Sequence, residues 1–224
     1  MNLKRMVTGV GAPPAALAVG LGASLAGVFV FLKISDEIME QEFLQVDKVG
    51  LHTARQIQSA RGDRVVLAVT HTGGPLELAA LGSAGVIGLF VRGHTADAVT
   101  LAAAAAGSGA IVPVLKALFH RPRPPLKLRR APASGYSYPS GHAFTSLTTY
   151  GGIAYLASRH GQLTGHPAAR WFWAPGLLWA GLVGLSRVYL EVHYPTDVLA
   201  SWSAGTIWLT ACIFARNFME PEES

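Results

Sequence analysis

The chain has 224 residues, half of them apolar and only 14% charged, with a formal net charge of +5. So low a charged fraction argues against an ordinary soluble protein, and a chain of this length holds one domain or at most two. The basic residues cluster between apolar runs and not on a single polar face, which excludes a nucleic-acid binder and points to anionic headgroups or a phosphorylated substrate.

The run Val10–Leu32 is uncharged for 23 residues and follows Lys4 and Arg5. It exceeds the roughly 7–15 residues of a signal-peptide core and reads as a retained membrane span. Residues 33–64 are the only long polar stretch, with Ile34, Ile38, Phe43, Val46 and Val49 at helical spacing. That spacing predicts one or two helices lying at the membrane interface, with a small solvent-exposed helical hairpin as the alternative. A second span is expected over about 70–91, carrying His71 and Glu77, and Arg92–Asp97 reads as a tight turn into a third, the 18-residue run Ala98–Leu115. Residues 116–141, rich in Pro, Arg and Lys, form the third loop. His142–Ser158 and Trp171–Ser186, joined by residues 159–170, are short and reach spanning length only when extended past one end. A fifth loop, 187–197, precedes the 18-residue run Val198–Ala215, and the tail from about 217 to 224 is acidic and expected to be disordered.

The expected fold is therefore all-α: an integral membrane bundle of six transmembrane helices, with an interfacial helical segment (about 33–64) after the first, in one domain over residues 1–224. A soluble bundle rich in Ala and Gly is the rival reading, and three uncharged runs of 18 residues or more stand against it. Gly20, Gly22, Ala23 and Gly27 in the first span, and Gly181 and Gly184 in the fifth, suit close helix contact in lipid. Trp171 and Trp173 suit an interfacial anchor. Cys212 is the only cysteine, which excludes an internal disulfide and a cysteine-built metal site.

Three patches of chemistry sit at span ends: Lys116 with Arg123-Pro124, then Pro139-Ser140-Gly141-His142, then Ser186-Arg187 with His193 and Asp197. Ammonium and guanidinium groups bind phosphoryl oxygens, and two histidines can divide the nucleophile and acid roles. With six spans, the third and fifth loops share one side, so all three patches face the same way, a result that uses none of their chemistry.

Their spacing resembles the signature of the type 2 phosphatidic acid phosphatase superfamily. That signature reads Lys, six residues, Arg-Pro; Pro-Ser-Gly-His; and Ser-Arg, five residues, His, three residues, Asp. Every position matches from Lys116 to Asp197. The resemblance implies a membrane lipid phosphatase acting on a phosphomonoester or diphosphate such as undecaprenyl diphosphate, phosphatidic acid or phosphatidylglycerol phosphate. It implies His193 as the nucleophile that becomes phosphohistidine, with Asp197 fixing its tautomer. His142 would be the general acid and then the base that activates water. Lys116, Arg123 and Arg187 would hold the phosphoryl oxygens, helped by the Ser140 hydroxyl and the backbone at Gly141. Pro195 suits the first turn of the last span, placing Asp197 within that turn, where it could also simply cap the helix.

No cofactor is expected, and no acidic cluster or paired-histidine pattern suggests a metal site. The expected partners are a lipid phosphate substrate and the bilayer. Arg121, Lys127, Arg129 and Arg130 match no part of the signature and read as headgroup attraction or simple solvation. His71 and Glu77 could line the cavity or form a satisfied helix-end pair. His52, His94, His120, His160 and His166 read as ordinary loop residues.

Lys4 and Arg5 before the first span place the amino terminus in the cytoplasm and the patches outside the cell membrane. Twelve of the 18 basic residues, however, fall in loops one, three and five. A phosphotransferase using the same site is a close rival function. The soluble vanadium haloperoxidases share the anion-binding residues but lack apolar spans, and a small transporter or lipid-binding scaffold would place its polar groups nearer the midplane.

Overall fold

The computed structural model describes residues 14–40, 45–217 and 219. The predicted basic start at Lys4 and Arg5, the beginning of the first apolar run, Phe43 and most of the acidic tail lie outside the described residues. Among the described residues the fold is all helical, without strands.

Helix α1 spans Pro14–Met39, followed by α2 (Gln45–Ile57) and α3 (Ala60–His71). After α3 come α4 (Pro75–Val91), α5 (Thr95–Phe119) and α6 (Gly141–Leu163). Last are α7 (Trp173–Tyr189) and α8 (Pro195–Arg216). The starts follow local chemistry. Pro75 and Pro195 occupy first-turn positions, where a missing N–H costs nothing. Ser59 caps α3 by accepting from the Gly62 N–H at 3.0 Å. α5 ends at His120, whose φ of 46° turns the chain out of the helix.

Helices α1, α5 and α8 are long and apolar enough to cross a membrane; α3 and α4, bent by 44° at their junction, make a fourth if they form one span. Large apolar side chains stand outward on them: Leu25 is 71% and Phe29 69% exposed. Such a surface is costly in water and satisfied in lipid. The protein is an integral membrane protein.

Several boundaries depart from expectation. α1 continues through Met39, so Ile34 and Ile38 belong to it and pack with Tyr138 and Ala200. The expected stripe is thereby broken: Val46 and Val49 on α2 are exposed, and Asp47, Leu51 and Ala54 form its buried face. The turn before α5 is only Arg92–His94, with Gly93 at φ 81°, and Asp97 lies inside the helix. Trp171 is exposed as an anchor would be, whereas Trp173 packs against the Leu101–Tyr155–Leu156 cluster.

α6 packs against α4, α5, α7 and α8, and its buried face is small and polar, with Ser146, Thr148, Thr149, Gly151 and Gly152. Small side chains let neighbouring backbones approach closely. A Cβ at Gly151 would lie 2.7 Å from Leu209, and one at Gly184 2.5 Å from the Trp202 ring. Gly27 closes on the Ser203 carbonyl in the same way, but Gly22 and Gly181 face open space.

The end of the bundle opposite the patches is tied by Asp97, which is buried. Its Oδ1 accepts from Arg216 Nε, its Oδ2 lies 2.7 Å from His160 Nε2, and Arg159 Nη1 is 3.7 Å away. His160 is therefore no ordinary loop residue: it belongs to α6. His94 stacks edge-on against it, and His94, Asp97 and His160 offer ligand-type atoms within 4.8 Å of one another. The carboxylate is already met by two arginines, so the group acts as an ionic tie joining α5, α6 and α8. Breaking a buried pair leaves an uncompensated charge. Asp97→Ala is expected to destabilise the detergent-solubilised protein by about 3–5 kcal/mol, read as a lowered midpoint in thermal unfolding. An unchanged midpoint would mean that the tie adds nothing.

Candidate active site

The ends of α5, α6, α7 and α8 converge, and the connecting segments 120–140 and 190–194 fold between them. The three patches meet there. Val192 and His193 donate their backbone N–H groups to the Arg187 carbonyl at 3.2 and 3.3 Å, which fixes His193 against the end of α7. Arg123 Nη1 donates to the Val192 carbonyl at 2.8 Å and reaches His193 Nε2 at 2.9 Å. Carbonyls of Ser134 and Gly135 hold the rest of its guanidinium.

A guanidinium can only donate, so His193 Nε2 is the acceptor, and the ring proton must sit on Nδ1. That nitrogen faces Asp197 Oδ2 at 3.3 Å. Burial lowers His193 to about 4, with the Asp197 carboxylate pulling in the other direction and the charges of Arg123 and Arg187 adding to the fall. The ring is neutral at physiological pH, with its unprotonated nitrogen toward the cations.

Asp197 is buried in the first turn of α8, where Pro195 sets the helix start as expected. Its Oδ2 also accepts from the Tyr194 backbone N–H at 2.9 Å and from the Ser137 hydroxyl. It caps the helix and orients the histidine at once.

Ser140 caps α6: its oxygen accepts from the Ala143 N–H at 3.5 Å, and its own N–H donates to the Asp197 carbonyl at 3.3 Å. Gly141 and His142 then open the helix, where first-turn N–H groups have no partner within the helix. The guanidinium charges of Arg187 and Arg123 both reach His142. Lys116 lies within the field of Arg123, Asp197 and Arg187 and donates to the Tyr136 carbonyl. Arg187 Nη1 donates to Thr70 Oγ1 at 2.7 Å, while its Nε has no hydrogen-bond partner among the described residues.

The arrangement holds several cations and two imidazoles around one small volume, with the Asp197 carboxylate turned to His193. It can bind an anion such as a phosphoryl group and place a neutral nitrogen next to it. Beside it runs an apolar cavity of about 720 Å³ between α4, α5 and α6. Leu78, Val86, Ile87 and Val112 line it, and Gly141 and His142 form its polar end. Of the weaker candidates, His71 and Glu77 form a loose pair at 3.9 Å, both largely exposed.

Arg121 overturns the expectation made for it. It is 8% exposed and bonds both Asp47 and Asp197, each at 2.5 Å. Burial works against its charge, but the two carboxylates outweigh it and raise its pKa. Arg129 and Arg130 are likewise structural, on the Pro124 carbonyl at 2.7 Å and Asp63 at 2.5 Å. Asp47 and Ser137 were not legible as site residues. The one signal was an acidic residue beside an apolar stripe, which is common on exposed helices.

The family model of the PAP2 superfamily matches residues 97–218. The chain belongs to the PAP2 superfamily. It is 32% identical over 180 residues to phosphatidylglycerophosphatase B of Bacillus subtilis strain 168, covering 79% of this chain and 86% of that one. It is also 36% identical to an undecaprenyl-diphosphatase of Sulfolobus acidocaldarius, over 86 residues that span 38% of this chain and only 36% of the relative. Among solved structures, a transmembrane PAP2-type phosphatidylglycerolphosphate phosphatase from Bacillus subtilis superposes with a TM-score of 0.74 at 27% identity, covering 90% of this chain and 98% of the other. The chain is a phosphatase of this superfamily.

The buried imidazole can be titrated directly. A group whose pKa falls from 6.5 to about 4 on folding takes up its proton in the unfolded chain first. Its contribution to stability is thus complete above about pH 6.5 and is lost as pH falls toward 4. NMR of ¹⁵N-histidine protein, with His193 assigned by its loss in His193→Gln, is expected to show a neutral Nδ1–H ring at pH 6. Protonation near pH 6.5 would contradict the burial.

Proposed function

We propose that the protein hydrolyses the phosphomonoester or diphosphate of a membrane lipid through a phosphohistidine at His193. The observation that carries the reading is the Arg123–His193–Asp197 chain set beside an apolar cavity that ends at His142.

In the first step His193 Nε2 attacks phosphorus. A P–N bond forms and the P–O bond to the lipid breaks. Asp197 keeps the proton on Nδ1 and stabilises the positive charge that the ring gains. The Arg123 N–H that reaches Nε2 passes to a phosphoryl oxygen as phosphorus takes its place, and Lys116, Arg187 and the first-turn N–H groups of α6 hold the remaining negative charge. His142 carries the proton for the leaving oxygen, because the incoming phosphoryl group balances the cations crowding that ring. In the second step His142 takes a proton from water, the oxygen attacks phosphorus, the P–N bond breaks and inorganic phosphate leaves.

The cavity explains why the acid should be His142. A lipid chain lying between α4 and α5 would bring its ester oxygen to the cavity's polar end, where His142 stands. The names of the relatives make phosphatidylglycerol phosphate and undecaprenyl diphosphate the first substrates to test, with phosphatidic acid beside them.

The membrane arrangement we propose has six spans: α1, α4 with α3 bent onto it, α5, α6, α7 and α8, in one domain. The patches then face outward from the cytoplasmic membrane. Most basic residues near them are occupied by ion pairs or by the site, as Arg55, Arg121, Arg123 and Arg130 are, so their number is a poor guide to topology.

Purified protein in detergent is expected to release phosphate from at least one of these lipids without an added acceptor and with EDTA present, since Lys116, Arg123 and Arg187 supply the charge a metal would. Vanadate should inhibit. His193→Ala should lose turnover and phosphoenzyme together, whereas His142→Ala should still be phosphorylated by an activated aryl phosphate, whose leaving group needs no proton. An active His193→Ala enzyme, or activity that vanishes in EDTA and returns with one cation, would sink the mechanism. Release only when a lipid acceptor is added would make it a phosphotransferase.

Orientation is checked by labelling. With Cys212 replaced, a cysteine at exposed Lys127 should react with an impermeant thiol reagent on intact cells, and one at exposed Gln162 should not. The reverse pattern would place the site on the inner leaflet.

A further inference from the structure

Helix α2 belongs to none of the three patches, yet its one buried charge points at them. Asp47, in its first turn, is fully buried. The Asp47 Oδ1 accepts from the Thr196 backbone N–H at 3.0 Å, and its Oδ2 from Arg121 Nη2 at 2.5 Å. The Thr196 hydroxyl donates to Asp47 and accepts from Arg121 Nη1 at 2.8 Å. The same Nη1 donates to Asp197 Oδ1 at 2.5 Å, and the guanidinium lies 4.2 Å over the Tyr194 ring. One arginine therefore joins a carboxylate on α2 to the carboxylate that holds His193.

The rest of the segment is fastened to the same place. A Cβ at Gly50 would collide with the ring of Pro195, the residue that starts α8. Arg55 of α2 pairs with Glu191 at 2.8 Å in the connection that carries His193, and Gln58, just after α2, donates to the Tyr189 carbonyl at the end of α7 at 2.7 Å.

A planar guanidinium can bridge two carboxylates and keep its charge where a lysine ammonium cannot span both. The consequence falls on rotation. Asp197 must keep an oxygen in line with His193 Nδ1, and a partial turn about its Cβ–Cγ bond would carry both oxygens off their donors. Arg121 holds Oδ1, and Asp47 holds Arg121. Both residues direct their side-chain hydrogen bonds to each other, to Thr196 and to Asp197.

We propose that Asp47 and Arg121 are positioning residues for Asp197, so that docking of α2 on the start of α8 sets the His193 tautomer and with it the rate. The kinetic half rests on the phosphohistidine reading; the tautomer half does not.

The test compares the full-length protein in detergent with Asp47→Asn, Arg121→Gln and Gly50→Ala, and with Val49→Ala on the exposed face of α2 as control. Gly50→Ala moves the helix without touching a charge, which covers the case in which removing a buried ion prevents folding. Two quantities are read for each: the His193 ring by ¹⁵N NMR, and kcat and KM for lipid phosphate hydrolysis. The expected result is a mixed His193 tautomer and a kcat lower by about 10- to 100-fold, the scale of a small misplacement at a reacting group. KM should stay within about twofold, because no phosphate contact is removed. Val49→Ala should match the wild type. An unchanged Nδ1–H tautomer in the folded variants overturns the proposal whatever the activity, and so does a mixed tautomer with wild-type kcat. A mixed tautomer in a protein whose wild type hydrolyses no lipid phosphate would instead overturn the functional reading and leave the positioning intact.

Discussion

The constraint on which the site depends is a carboxylate with no access to water. A buried anion is costly unless each oxygen finds donors. Asp197 meets that demand with a backbone N–H, a hydroxyl, an imidazole and a guanidinium, drawn from the two connecting segments 120–140 and 190–194. Satisfying one group therefore fixes the start of α8, the connection 190–194, the segment 120–140 and, through Arg121, helix α2. The His193 ring is oriented as a by-product of paying that desolvation cost.

The opposite end of the bundle repeats the device without the chemistry. Asp97 is surrounded by Arg216, Arg159 and His160, and joins three helices. Both ends need a polar clasp because the middle offers little beyond close packing. In lipid, apolar side chains gain nothing from leaving the solvent, and helices hold together by packing and hydrogen bonds. Gly151, Gly184 and the serines and threonines of α6 provide that packing. The outward Leu and Phe residues, which a soluble protein would bury, face the solvent they suit.

The two clasps differ in what they leave open. At Asp97 the carboxylate is met by arginines and the neighbouring imidazole, and the cavity does not extend there. At Asp197 the histidine keeps its second nitrogen turned to a group of cations, with an apolar cavity ending beside them. A pocket that is charged at one end and apolar along its length matches an amphiphile with an anionic head, which is the substrate class we propose.

Much of this was legible in the amino-acid sequence. The long uncharged runs announce membrane helices because a segment without charges has no reason to face water, and Pro195 announces a helix start because its ring suits only the first turn. The three patches, from Lys116 to Asp197, were expected on one face from a count of six spans, and the structure brings Arg123, His193 and Asp197 into contact. What the sequence could not settle was partnership. Arg121 and Arg130 are equally basic, but one is buried between two carboxylates and the other pairs at the surface. Asp47 looks like a solvated residue of a polar helix, and His160 like a loop histidine. Their roles arise from contacts across 149 positions, between Asp47 and Thr196, and across 63, between Asp97 and His160. Periodicity and spacing report on neighbours within a helical turn. Which buried charge finds which partner is decided only when the helices pack, because the desolvation that makes the pairing necessary does not exist until then.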